Sequence, residues 1–545
     1  MSFSKILSVW YVIPILILIL FLAPILVILS SVFSGYSENW QHIYNYVLAD
    51  YVINSIILVA GVSVLVMTIG TVTAWIVTNY SFFGKKFFEW GLILPLAIPP
   101  YILAYTFTGL FDSYGTVNEI AKNLFNLQAN VTVFPNIRNI YGAIIVFSFT
   151  LYPYVYLICR TAFLNQSRSM FEVGRTLGLS NTSIFFRLAL PLVRPALIAG
   201  TMIVAMETLS DFGAVDHFAV STFTTGIFRT WYGMYDLTTA MQLASMLLIF
   251  ITFCLIIERI SRKNANYSTI ASNFKPTPVK SLPPISSMAC FFVCFLPLFI
   301  GFILPILEIL NWTLSWNSGF LNKQFFSISI NTILLSILSA ILCTFIAMII
   351  NFSIRYKNSF TLKFINPFLN IGYAVPGLIL AVGIVQLFVF LDNNVLNSFE
   401  EYFLTGSFVG LIFAYIIKSY ALANSTYEAG YQKISTVLDD SARILKSKGF
   451  NLLFRVHFPI LKTSFYTSIL LVMSEVVKEL PATLILRPFN FETLAVSTYI
   501  YASEERMIEA AAPAMAIVLI GLIPIFFLSK ICLLYTSPSP RDPKI

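Results

Sequence analysis

The chain has 545 residues, of which 58% are hydrophobic and only 11% charged, with a mean hydropathy of +0.83. Soluble domains carry about 25% charged residues, so the composition excludes a soluble enzyme and predicts an all-α polytopic membrane protein. The net charge of +8 is spread over many short loops rather than one basic face, which excludes nucleic acid as a partner.

In chain order, Lys5 precedes an apolar run at 12–33. Without a small-residue cleavage site this reads as an uncleaved first span rather than a signal peptide. Further apolar runs lie near 54–79, 87–110, 140–159, 195–210 and 241–257, and six more near 287–310, 328–350, 364–391, 404–417, 464–482 and 510–530. Between the two sets stands a polar, Pro- and Ser-rich stretch, "RKNANYSTIASNFKPTPVKSLPPISS", which reads as a linker. The expected units are therefore a first half at 1–261, a linker at 262–287 and a second half at 288–531. Residues 532–545, containing "CLLYTSPSPRD", resemble the translation of a sequencing adapter and are set aside. The six cysteines lie in or beside apolar runs and the three histidines are scattered. Neither set has metal-ligand spacing.

With Lys5 placed inside, twenty-four Lys and Arg residues fall in segments on that side and six on the other. By the positive-inside rule both termini are then expected in the cytoplasm. The halves also match each other. Asn54 and Pro99 correspond to Asn331 and Pro376 at a spacing of 277, and Arg175, Leu177, Arg187 and Pro191 to Arg443, Leu445, Arg455 and Pro459 at a spacing of 268. A longer outer loop in the first half accounts for the difference. Two like six-span bundles of the same orientation, packed around one path, are the expected architecture. Pro99–Pro100 and Pro376–Gly377 should interrupt the third and ninth spans as a hinge or a packing kink.

Two charged stretches interrupt this apolar pattern at equivalent places: "FEVGRTLGLSNTSIFFRLALPLVRP" (171–195) and "LDDSARILKSKGFNLLFRVHFPILKT" (438–463). In the first, Met170, Val173 and Leu177 share one helical face, and Arg168, Glu172 and Arg175 another. Gly178 suits a helix stop, and 181–183 can cap a second short helix ending before Pro191. In the second, Ile434, Leu438, Ala442 and Leu445 form the apolar face, opposite Asp439, Asp440, Arg443 and Lys446. Glu172 with Arg175, and Asp440 with Arg443, can each bridge one turn. A solvated amphipathic loop at the lipid headgroups is the bland alternative, but two copies in register argue against it. Ionisable residues in or near spans mark translocation paths. Glu207 and Asp211 end the fifth span, and Glu475, Lys478 and Glu479 the eleventh, with Glu207 over Glu475 and Asp211 over Glu479. Acidic groups there suit a cationic substrate, although Lys478 could neutralise its two neighbours.

The paired stretches resemble the coupling ("EAA") loop of importer-type ABC permeases, which have the MetI-like fold. The resemblance rests on Glu172, Gly174, Arg175, Leu177, Gly178 and Pro191 in the first copy, and on Asp440, Ala442, Arg443, Leu445 and Pro459 in the second. Lys446 stands where the second copy should carry its Gly, so a different turn is expected there. The stretches "DFGAV", "FTTGIFRTWYGMYD", "ELPATLILRPFNFETLA" and "SEERMIEAAAPAMAIVL" are similar to the fused two-half permeases of ferric-iron importers. Thiamine permeases share the fused build. The resemblance implies a non-enzymatic permease in the bacterial cytoplasmic membrane, surrounded by lipid. It also implies two copies of a cytoplasmic ABC ATPase and an extracytoplasmic substrate-binding protein as partners. The chain has no G-x-x-x-x-G-K-[ST] phosphate loop, so ATP would be bound and hydrolysed on the partner and no cofactor by this chain. A secondary transporter driven by an ion gradient is the rival class. A membrane enzyme is a third, unsupported by any nucleophile–base pair.

Overall fold

The computed structural model describes residues 8–128, 131–166, 172, 174, 176–263, 280–315, 323–395 and 404–536. Among the described residues eleven helices are long and apolar enough to cross a membrane, twelve if the bent pair Lys85–Ala97 with Pro100–Phe125, broken by 90°, is counted as one span. The apolar backbone has no alternative to helix in lipid, because every N–H and C=O must be satisfied within the segment.

Several helices differ from the hydropathy windows. The tenth span runs Phe408–Gln432 and the eleventh Phe450–Val477, against 404–417 and 464–482 expected. Polar residues ended the windows early at the end of the bundle near the two charged stretches, where the helices continue past the apolar zone. The eleventh helix stops sooner at its other end because Pro481 follows and opens a separate short helix, Pro481–Leu486. Part of the linker is also ordered. The sixth-span helix reaches Lys263, Lys280–Ser281 pairs in parallel with Tyr80–Ser81, and the seventh span begins at Pro284.

The third and ninth spans break where the prolines predicted. A tight turn at Leu94–Ala97 precedes the helix from Pro100, and one at Asn370–Ala374 precedes Gly377–Asn394.

Each core is shared between the halves. In one, Phe21, Ile25 and Ile28 of the first span and Met241 and Leu247 of the sixth pack with Met348, Leu378, Tyr420 and Val472 of spans eight to eleven. In the other, Cys294, Leu298 and Ile309 of the seventh span and Ile517 and Val518 of the twelfth join Val62, Ile102, Tyr152 and Val204 of spans two to five. Small residues permit these close contacts. A Cβ on Gly383 would lie 2.6 Å from the carbonyl oxygen of Pro24, and one on Gly301 2.4 Å from that of Phe149. The first span of each half thus packs against the bundle of the other.

Candidate translocation cavity and coupling segments

The breaks in the third and ninth spans and the ends of the fifth and eleventh meet between the halves. There they enclose a cavity of about 100 Å3, space for several waters. Glu207, Asp211, Glu475, Lys478 and Glu479, the five path residues expected from sequence, all line it. Sequence reasoning missed Lys418, Tyr101, Tyr154, Tyr373 and Tyr415, which line it too. Lys418, just past the apolar window expected at 404–417, lies inside the tenth span and pairs with Glu479.

The charges are arranged unequally. Lys478 Nζ lies 2.8 Å from Glu475 Oε1, so it neutralises that neighbour, while Glu479 is matched by Lys418 rather than Lys478. Glu207 and Asp211 are instead held by neutral donors. The Tyr373 hydroxyl donates to Glu207 Oε1 at 3.1 Å. Asp211 Oδ1 accepts the backbone N–H of Ala214 at 2.8 Å and of Val215 at 3.4 Å, capping the short helix Gly213–His217. Glu479 plays the same part for Pro481–Leu486, accepting from Ala482 N at 3.2 Å. Every donor atom offered to a ligand by this set of charged and phenolic side chains is oxygen or ammonium nitrogen. Among the described residues no cluster of His, Cys, Asp or Glu is arranged to hold a resident metal ion.

Beyond the cavity, Tyr499 of the second half donates to Asp216 Oδ2 of the first at 3.0 Å. Burial raises the Asp216 carboxyl above its ordinary range, against the pull of that hydroxyl and of Arg229. Burial, and then Arg138, push the neighbouring His217 down to about 3. This imidazole is therefore neutral at physiological pH, 2.9 Å from Thr108 Oγ1.

At the other end of the bundle lie the two charged stretches. Arg175 falls outside the described residues, so its pairing with Glu172 is not described. Asp440 and Arg443 approach to 3.8 Å one helical turn apart, as expected. Gly174 and Ala442 are buried at equivalent places. A Cβ on Gly174 would lie 2.9 Å from Leu188 Cδ1, at the end of a side chain that can shift, and the second half carries Ala442 at that place.

Leu177 and Leu445 are 72% and 81% exposed, because each sits where the helix ends and the chain swings outward. Three expectations change. Asp439, assigned to the polar face, is buried against Arg355. The second short helix does not stop before proline. Instead it passes through a wide π turn, Phe185–Ala189 in the first half and Leu453–His457 in the second, and continues into the span. Pro191 and Pro459 lack the N–H that a regular helix would use, and the π turn absorbs the ring. Finally, Lys446 does not alter the turn. Its φ of +61° matches the +73° of Gly178. Ser447 N bonds Ala442 O at 3.0 Å just as Leu179 N bonds Gly174 O at 3.0 Å, the closure of a left-handed helix cap.

Twelve spans in two like halves, a charged cavity between them and a matched pair of exposed helical turns define a two-fold membrane transport unit. The chain belongs to the family of binding-protein-dependent transport system inner membrane components, which it matches twice, at residues 66–264 and 343–541. It is similar to the Fe(3+)-transport system permease protein FbpB 2 of Haemophilus influenzae, 26% identical over 92% of this chain and 94% of that one. The ferric transport system permease protein FbpB of Actinobacillus pleuropneumoniae is 24% identical over 73% of this chain and 58% of its own length. The sulfate transport system permease protein CysT of Escherichia coli is 29% identical over 27% of this chain and 50% of its own length. The chain is thus a polytopic permease component of an ABC importer, a transport subunit rather than an enzyme, and the gradient-driven alternative is set aside.

Proposed function

We propose that this permease carries ferric iron, handed over by an extracytoplasmic binding protein, into the cytoplasm. Two copies of a cytoplasmic ATPase dock at the segments around Glu172 and Asp440, and both termini lie on that side. The observation that carries the substrate reading is the cavity's charge. Its two ammonium groups are each matched to a carboxylate, while Glu207 and Asp211 are held by neutral donors. Such a cavity favours a hard cation, which prefers oxygen ligands, and repels an oxyanion such as sulfate. The relatives agree in direction, since resemblance to the Haemophilus ferric permease spans 92% of this chain and that to the sulfate permease 27%.

The exposed apolar tips Leu177 and Leu445 and the adjacent acidic residues suit a docking surface that takes up nucleotide-driven movement. Transport then follows from the ATPase binding two states of the permease unequally. The test is uptake of labelled ferric iron by vesicles holding the permease, its ATPase and its binding protein. ATP-dependent iron uptake is expected. Uptake of thiamine or sulfate instead, with none of iron, would sink the substrate reading.

A further inference from the structure

Both coupling segments end in the same left-handed turn, and the second is anchored there by buried charge. Asp439 lies on the inner face of the helix Thr436–Ile444 and is 7% exposed. Its Oδ2 accepts from Arg355 Nε at 2.7 Å, near the end of the eighth span. Its Oδ1 is 2.8 Å from His457 Nε2, in the π turn that leads into the eleventh. Arg355 also donates to the carbonyl oxygens of Tyr431 at 3.1 Å and of Ile434 and Ser435 at 3.0 Å. One carboxylate therefore ties the helix to two spans, and one guanidinium fork holds the chain entering that helix. A lysine ammonium cannot reproduce such a planar set of donors.

At the spacings of 277 and 268 that relate the halves, the counterparts of Arg355, Asp439 and His457 are Thr78, Phe171 and Ala189. None can ionise, so the first half does not carry this three-residue cluster at the equivalent positions.

We propose that Asp439, Arg355 and His457 are positioning residues that lock the second coupling helix to the eighth and eleventh spans. The two coupling segments then transmit nucleotide-driven movement unequally, the second as the stiffer lever. This rests on the reading of both segments as ATPase contacts.

The test is hydrogen–deuterium exchange on the full chain in lipid nanodiscs, alone and with its ATPase. Without ATPase, Asp439→Asn should speed exchange over 436–444 roughly tenfold while leaving 190–210 unchanged. Arg355→Lys should do the same, and His457→Gln, which keeps an N–H aimed at Asp439, should stay near wild type. With ATPase bound, the ATP-dependent change in exchange at 475–481 should be lost in Asp439→Asn and kept at 207–213. Faster exchange throughout the second half marks general destabilisation and overturns the proposal, as does an ATP response retained at both places. If the response also survives a Glu172→Lys/Asp440→Lys double variant, the coupling reading itself falls. If that double variant abolishes it, only the role of the lock falls.

Discussion

Glu207 and Asp211 sit four residues apart and do different work. Asp211 caps a short helix through backbone N–H groups, while Glu207 meets a phenol. Asn caps helices about as well as Asp, and Gln offers Tyr373 the same acceptor. Glu207→Gln and Asp211→Asn therefore remove charge while keeping the hydrogen bonds. The pair of substitutions should cut ferric-iron uptake roughly tenfold or more without loss of inserted protein, as ionisable residues on a membrane path usually do. Wild-type uptake by the double variant would falsify the cation-path reading. A second residue-scale expectation concerns the turn. A non-glycine residue in the left-handed region costs roughly 1–2 kcal/mol, and Lys446 bears that cost where Gly178 does not. Lys446→Gly should stabilise its turn by about 1 kcal/mol, read as roughly fivefold slower amide exchange at Ser447. Unchanged exchange there would mean the strain is relieved elsewhere. The path carboxylates were legible because they are charges at span ends and recur at 268. Lys418 was not, because as a lone charge it ended the apolar window at 417 and was read as lying outside the membrane. The cavity tyrosines gave no signal, since an amphipathic ring is equally at home in a core or at an interface.

At the scale of elements, each of the two charged segments is a short helix, a left-handed turn and a π turn leading into a span. The last three are repeated at a fixed spacing in both halves. Periodicity located the helices but misplaced Asp439, whose burial depends on Arg355, 84 positions away in sequence. The continuation through Pro191 and Pro459 was equally hidden, since a proline reads as a stop unless a π turn precedes it. The exposed tips and the acids beside them lead to a prediction at this scale. Glu172→Lys with Asp440→Lys should leave insertion intact but uncouple the ATPase, so that ATP hydrolysis no longer drives uptake. A coupling free energy of about 1–3 kcal/mol is at stake, or roughly 5–150-fold. Substrate uptake and ATP hydrolysis, measured on the same vesicles, decide it. Normal uptake per ATP in that variant would show that these acids do not carry the contact.

For the whole molecule, the internal repeat made two bundles visible in the sequence, but not that they exchange their first spans. Self-similarity reports which segments correspond, whereas packing depends on which surfaces meet, and no single-sequence signal carries that. The exchange has a mechanical consequence. Span one lies on span nine at Gly383, and span seven on span four at Gly301, with backbone-to-backbone closeness, so neither half can close its core alone. Each half expressed by itself would leave buried-type faces open to lipid and lack its partner's small-residue contacts. Every described helix lies outside the polar stretch 264–279, so two separately encoded chains, 1–263 and 280–545, retain every described contact between the halves. Co-expressed, they should copurify and restore uptake to within about twofold of the intact chain, since the linker adds effective concentration rather than contacts. Either piece alone should be degraded or recovered as aggregate. If 1–263 alone instead yields a monodisperse, cooperatively unfolding bundle in detergent, the shared cores are not required for folding, and the halves are independent units that merely touch.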